Sequence, residues 1–317
     1  MKGGQGLSRS MTDTYRSIAF TEYGDSGVLR VFDRELPEPG AGQVRVAVRA
    51  AGVNPIDWKI RSGLMAEVYP TTFPSVPGGD VAGVIDAVGE GVSDFAVGDE
   101  VLGRGNGGYA EFVLADPAGL TRKPEALSWE LAAALPVVVG TAYRALNLLD
   151  LVEGETLLVD GAAGGVGTIA VQLAVARGLT VVGTASEANH EYLRSLGAVP
   201  VQYGEGLAER VREAAPQGVD ASFDTSGRGS LPTLVELTGG PKRVVTIAAP
   251  DAADHGVRFT SGSPAEQVPG ALAEGAALAA EGKLDLPIAR VYPLAEAGAA
   301  QDESEAGHVR GKLVLVP

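Results

Sequence analysis

Val159-Asp-Gly-Ala-Ala-Gly-Gly-Val-Gly-Thr-Ile-Ala-Val-Gln-Leu-Ala-Val-Ala-Arg-Gly178 is the stretch whose reading decides the fold. Thr156–Asp160, which leads into it, is a short apolar run of strand type. Gly161, Gly164, Gly165 and Gly167 come next. Val166, Ile169, Ala170, Leu173 and Ala174 then fall on one helical face. Gly178 stands where a helix ends on a left-handed glycine, and a second apolar run, Leu179–Gly183, begins at once. The order is strand, glycine turn, helix, strand. The first turn of a helix has unpaired N–H groups and a partial positive charge, so it attracts an anion. A pyrophosphate reaches those groups only where no Cβ intervenes, and a further glycine lets the helix pack close to its strand. Gly161-x-x-Gly164-x-x-Gly167 is thus a variant of the dinucleotide fingerprint. A glycine turn alone says little in a chain with 44 glycines; the strand before and the helix after give it weight over an ordinary strand-to-helix turn.

Downstream of this turn the pattern alternates. Strands are expected at Thr156–Asp160, Thr180–Gly183, Val199–Gln202, Val219–Phe223 and Arg243–Ile247. Helices are expected at Thr168–Arg177, Asn189–Leu196, Leu207–Ala214 and Leu231–Leu237. That predicts an α/β fold with a doubly wound, mostly parallel sheet. Pro264–Gly282 adds a helix, and Leu313–Val316 a late strand. Upstream, short strands at Arg16–Phe20, Val28–Phe32, Val44–Val48, Val81–Val88, Gly98–Leu102 and Tyr109–Ala115 are joined by Gly and Pro turns, which predicts a small barrel-like β domain. Leu36–Gln43 and residues 64–79 read as irregular, Trp58–Gly63 as a helical turn. Trp129–Leu135 and Val139–Leu149 read as two helices.

Composition narrows the function. The 317 residues suffice for two domains. A net charge of −15 argues against nucleic acid and anionic membrane as partners. There is no cysteine, which excludes disulfides, thiolate nucleophiles and Cys-ligated zinc, and the three histidines are far apart in sequence. No apolar run approaches about 20 residues, so no membrane span is expected. Residues 1–13 read as a disordered extension, with Met11 a candidate natural start, and a cytoplasmic location is the expectation.

Five motifs carry a resemblance: Ala51-Gly-Val-Asn-Pro-Ile-Asp-Trp-Lys-Ile-Arg-Ser-Gly63, Pro77-Gly-Gly-Asp-Val-Ala-Gly83, Gly108-Tyr-Ala-Glu-Phe112, Gly161-Ala-Ala-Gly-Gly-Val-Gly167 and Gly311-Lys-Leu-Val-Leu315. In this order they resemble the medium-chain dehydrogenase/reductase superfamily, in its zinc-independent quinone oxidoreductase branch. The resemblance implies a GroES-like substrate domain (14–137 and 283–317) interrupted by a Rossmann domain (138–282), with the active site between them. It implies NADPH-dependent reduction of a quinone or of a C=C conjugated to a carbonyl. Gly79 stands where zinc-dependent relatives carry a histidine ligand. It also implies a homodimer or tetramer, formed through the open edge of the Rossmann sheet near Val244–Ile247. An enoyl-thioester reductase and a non-catalytic NADP-binding protein are the alternatives.

The cofactor choice rests on the end of the second Rossmann strand. NAD sites place Asp or Glu there; here it reads Gly183-Thr-Ala-Ser186, with Glu187 beyond. Ser186 is a donor for a 2′-phosphate, or the cap of the next helix. By resemblance His190 holds the place of a basic residue for that phosphate, and Tyr203 packs nearby; His is a weaker, pH-dependent cation. Thr141 resembles a nicotinamide contact, with helix capping as its other role, and Ile247 and Ala248 line the nicotinamide. The catalytic candidates are Asn54, Asp57 and Tyr69. Asn54 either donates to the charge developing on the substrate oxygen or holds a turn before Pro55. Asp57 orients neighbours, Lys59 among them. Tyr69 is either a proton donor or a packed loop tyrosine. Trp58 and Phe73 are the guesses for apolar walls. Tyr109 and Glu111 read as structural, and Asp220/Asp224 as a strand end near the cofactor.

Overall fold

The computed structural model describes residues 14–317. The expectations for residues 1–13 and Met11 lie outside them.

The glycine turn sits in the middle of a six-stranded sheet. Its strands are β8 (Thr156–Asp160), β9 (Thr180–Ala185), β10 (Val199–Gln202), β11 (Ala221–Asp224), β12 (Val244–Thr246) and β13 (Arg258–Phe259). All five pairings are parallel and the order is β10-β9-β8-β11-β12-β13. Counted from β8 this is 3-2-1-4-5-6, the dinucleotide-binding order, with β8 and β11 at the point where the winding reverses. β8 is buried along its whole length, as a central parallel strand covered on both faces must be. One face is covered by α2 (Trp129–Leu149), α3 (Gly165–Ala176), α4 (His190–Ser195) and α7 (Ala271–Ala280). The other is covered by α5 (Leu207–Ala214) and α6 (Leu231–Leu237).

The remaining strands form the second body. β3 (Val44–Val53), β4 (Asp80–Val88), β5 (Glu100–Arg104), β7 (Leu120–Arg122), β14 (Ile288–Pro293) and β15 (Lys312–Val316) join in the order β14-β15-β3-β4-β5-β7, and β6 (Phe112–Ala115) also pairs with β3. β1 (Thr14–Ala19) and β2 (Arg30–Glu35) form a separate antiparallel pair. α1 (Pro55–Arg61) and α8 (Ala297–Ala306) pack together beside this sheet.

Several expectations need correcting. The two helices predicted around Pro136 are one, α2, and the boundary drawn at 137/138 falls inside it. Proline lacks an N–H and crowds the preceding turn. The neighbouring backbone compensates outside the helix: the Val137 N–H donates to Asp80 Oδ2 at 3.1 Å. The Ala133 carbonyl is turned toward β3, 2.5 Å from where a Cβ on Gly52 would stand. α2 is also long and apolar enough to cross a bilayer by length and composition, contrary to the reading that no run comes near this. Most of it is core, packed against β3, β4, α3 and α7. The edge of the Rossmann sheet is not Val244–Ile247. β13 covers it, Val244 and Val245 are buried, and Phe259 is exposed instead.

Candidate functional site

The glycine turn has the geometry of an anion cradle. Gly161 has φ +82°, a conformation L side chains rarely adopt, and its N–H donates to Thr184 Oγ1 at 3.0 Å. Gly164 caps α3, and a Cβ there would meet only the Gly161 carbonyl, at 3.4 Å, so the first turn of the helix is open in front. A Cβ on Gly167 would lie 2.3 Å from the Gly161 carbonyl, so glycine is required for the helix to close on its strand. Val166 packs half-buried against the core. Below the turn, Asp160 accepts from the Thr184, Ser226 and Ser230 hydroxyls at 2.5–2.6 Å. Asp224 accepts from the Ser226 and Gly227 N–H groups and the Thr246 hydroxyl, and burial raises its pKa.

Opposite lies a buried polar corner. Asn54 caps α1, and its backbone N–H donates to Asp57 Oδ2 at 2.9 Å. The Tyr109 hydroxyl donates to the same oxygen at 2.9 Å. Burial pushes the Asp57 carboxyl up to about 6, against the lowering effect of those two hydrogen bonds. Burial and the Asp57 charge hold the Tyr109 phenol well above its usual range. The Asn54 carboxamide bridges opposite charges: Nδ2 donates to Asp80 Oδ2 at 3.0 Å, and Oδ1 accepts from Lys312 Nζ at 2.5 Å. Lys312 Nζ also donates to the Val53 carbonyl at 2.7 Å. Burial lowers the Lys312 pKa while Asp80 and then Asp57 hold it up. Burial raises the Asp80 pKa against the charges of Lys312 and Arg104.

The two halves meet at the Gly311–Lys312 turn. The Gly311 N–H donates to the Ala163 carbonyl at 3.2 Å, and Gly164 and Gly311 form a parallel bridge. The Lys312 stem passes 3.0 Å from where a Cβ on Gly165 would stand. One residue pair thus touches the dinucleotide turn and the polar corner together.

Comparison with known proteins agrees with this architecture. The family model described as alcohol dehydrogenase GroES-like domain matches residues 40–125, and the one described as zinc-binding dehydrogenase matches 196–315. The chloroplast envelope quinone oxidoreductase homolog of Arabidopsis thaliana is 31% identical, over 95% of this chain and 98% of that protein. The 2-methylene-furan-3-one reductase of Solanum lycopersicum is 33% identical, over 82% of this chain and 69% of that protein. Escherichia coli quinone oxidoreductase, solved with NADPH, superposes with a TM-score of 0.85 at 27% identity, covering 95% of this chain and all of that one. The chain belongs to the zinc-independent quinone oxidoreductase branch of the medium-chain dehydrogenase/reductase superfamily. It is an oxidoreductase that uses a nicotinamide cofactor.

In this oxidoreductase the predicted residues are distributed as follows. Gly161, Gly164, Gly165, Val166 and Gly167 form the cradle. Ile247 and Ala248 follow β12, where Thr246 Oγ1 accepts from the Ala248 and Ala249 N–H groups. Thr141 is buried on α2, with Arg144 Nη2 at 3.4 Å from its hydroxyl. Ser186 follows β9 and its hydroxyl accepts from Asn189 Nδ2 at 3.1 Å. His190 lines a recess at the open edge of β10 with Gln202 and Arg210, its Nε2 buried without a partner. Tyr203 is exposed just beyond β10. Tyr69 is 41% exposed in the irregular segment.

Some roles shift. Asp57 orients Asn54 and Tyr109, whereas the Lys59 ammonium lies 5.7 Å over the Trp58 ring. Tyr109 serves the corner; Glu111 is structural, paired with Arg16 at 2.7 Å. Phe73 packs edge-to-face with Phe20 and Tyr23. Asp220 lies at the far end of β11, accepting from the Thr156 N–H, so only Asp224 stands near the cradle. Lys312, Asp80, Arg104 and Arg144 were not singled out from sequence. A lysine opening the apolar run Lys312–Val316 was the one available signal.

Proposed function

We propose that this oxidoreductase uses NADPH to reduce a quinone or the conjugated C=C of an enone or enal. The observation that carries the reading is the Gly311–Lys312 turn, which ties the glycine cradle to the Asn54 corner and so supports a cofactor and an acceptor meeting there. The N–H groups at the start of α3 and the α3 dipole hold the pyrophosphate. Ser186, His190 and Tyr203 receive the 2′-phosphate, and no carboxylate ends β9 to repel it. Thr141, Ile247 and Ala248 flank the nicotinamide. Bound NADPH supplies the hydride. Charge then gathers on the acceptor oxygen. Asn54 Nδ2 has one hydrogen on Asp80 and a second available to donate to that oxygen. Tyr69, on the segment at the cleft, delivers the proton. The printed names of the relatives, quinone oxidoreductases and a furanone reductase, support this choice of acceptors. The open β13 edge supports a homodimer or tetramer, and the net charge of −15 weighs against nucleic acid and anionic membrane as partners.

The test is cofactor oxidation by the purified protein, NADPH and NADH in parallel, against benzoquinone, phenanthrenequinone, alkenals and crotonyl-CoA. Turnover of quinones or alkenals with NADPH is the expected result. Turnover of crotonyl-CoA alone would replace the reading by a thioester reductase.

A further inference from the structure

Arg16, Arg45, Arg61, Arg122 and Arg243 each hold a carboxylate on this acidic molecule. Arg104 and Arg144, among the described residues, have no carboxylate at ion-pair distance. Arg104 ends β5, and its Nη2 lies 3.3 Å from where a Cβ on Gly79 would stand. It therefore lies along the backbone beside Asp80 instead of projecting off the barrel. Arg144 is half-buried on α2, with Nε donating to Thr260 Oγ1 at 2.7 Å. The Thr260 hydroxyl donates in turn to Glu266 Oε2 at 2.8 Å; Glu266 is paired with Arg258, and its charge acts on Arg144 without a direct ion pair.

Helical geometry brings the two arginines to one place. Val137, Thr141 and Arg144 are spaced i, i+4, i+7, so they share a face of α2. Val137 sits on Asp80, next to Arg104. The rise from Val137 to Arg144 is about 10 Å. Burial lowers the Arg144 pKa, the Glu266 charge raises it and the Arg104 charge lowers it further; the Tyr69 phenol acts on the same guanidinium. Two guanidiniums near one another, neither in a direct ion pair, offer fork-shaped donors to an anion that joins them.

We propose that Arg104 and Arg144 form a subsite for an anionic group on the acceptor, a carboxylate carried within a few bonds of the conjugated system. The subsite rests on the reductase reading above, because Thr141, one turn from Arg144, is there assigned to the nicotinamide. One turn is about 5 Å, too short a span for the distant phosphates of coenzyme A.

Matched acceptors test it on the full chain with NADPH: acetylacrylate against its methyl ester, and naphthoquinone sulfonate against naphthoquinone. The expected kcat/KM ratio of charged to neutral acceptor is about tenfold or more, falling with added salt. In Arg104→Met/Arg144→Met the ratio drops to about one, and Arg144→Lys, which keeps the charge, restores part of it. A wild-type ratio near one, with the neutral acceptors turning over, overturns the subsite and leaves the reductase standing. If no acceptor turns over, the reductase reading has failed, and the subsite is read by fluorescence titration with levulinate and methyl levulinate. Levulinate binding lost in the double variant supports it; equal binding of acid and ester overturns it. Two further results also overturn it: NADPH affinity falling more than the acceptor ratio, which gives the guanidiniums to cofactor phosphates, or a preference seen only for crotonyl-CoA over crotonyl N-acetylcysteamine.

Discussion

Replacing Lys312 by Met removes a buried ammonium while keeping most of the stem that packs on Gly165. In the wild type that ammonium satisfies the Val53 carbonyl at 2.7 Å and Asn54 Oδ1 at 2.5 Å. It is also the largest charge opposing the burial of Asp80. The variant leaves two buried acceptors unpaired, at about 1–3 kcal/mol each. It also strands a buried carboxylate, and breaking a buried pair from one side costs about 3–5 kcal/mol. These contributions overlap, so the expected loss is about 3–5 kcal/mol. At about 2–4 °C per kcal/mol for domains of this size, Tm falls by about 6–20 °C. Scanning calorimetry of both proteins at neutral pH reads this directly. The Asn54 carboxamide is held in one orientation by a donor-only group on one side and an acceptor-only group on the other. Without Lys312 only Asp80 holds it in place, and kcat with any accepted quinone drops more than NADPH affinity does. A Tm within about 2 °C of wild type, with kcat retained, would refute this account of the corner.

Further expectations concern the same cleft. Asp57 has a folded pKa of about 6 against an ordinary 3.8, so the folded state holds the extra proton between those values. Stability is then greatest below about pH 4 on this account and is lost as pH rises through 6, by about 3 kcal/mol for a shift of roughly two units. Urea unfolding against pH checks this, and Asp57→Asn, which cannot ionise, should abolish that slope. Gly167→Ala places a Cβ 2.3 Å from the Gly161 carbonyl and 2.7 Å from Ala162 Cα, both backbone. The turn must shift, and NADPH should bind about tenfold or more weaker by fluorescence titration; unchanged affinity argues against the cradle. Ser186→Asp puts a carboxylate at the end of β9, and the NADPH/NADH ratio of kcat/KM should fall about tenfold or more. Tyr69→Phe removes a hydroxyl from an exposed side chain; kcat should drop while Tm stays within about 1 °C, and a full kcat removes Tyr69 from proton delivery.

The sequence by itself determined whatever depends on neighbours along the chain. The β8–turn–α3–β9 unit, the helices at Leu207–Ala214 and Leu231–Leu237 and the dinucleotide fingerprint were all legible, because period, cap and glycine spacing are local properties. Elements with too little local signal were not. β13 has two residues, and it alone moved the sheet edge away from Val244–Ile247. Pro136 reads as a break, yet α2 runs through it, and the Val137 N–H is satisfied by the Asp80 carboxylate, 57 residues away. Tyr109 reads as a strand tyrosine until its hydroxyl meets Asp57. Lys312 finds Asn54 across 258 residues of sequence. The tertiary structure decided which polar groups share the buried corner, and therefore which pKa values shift. Desolvation and charge pairing depend on distance in space, and no local pattern encodes which distant side chain fills the last coordination of a buried ammonium or carboxylate.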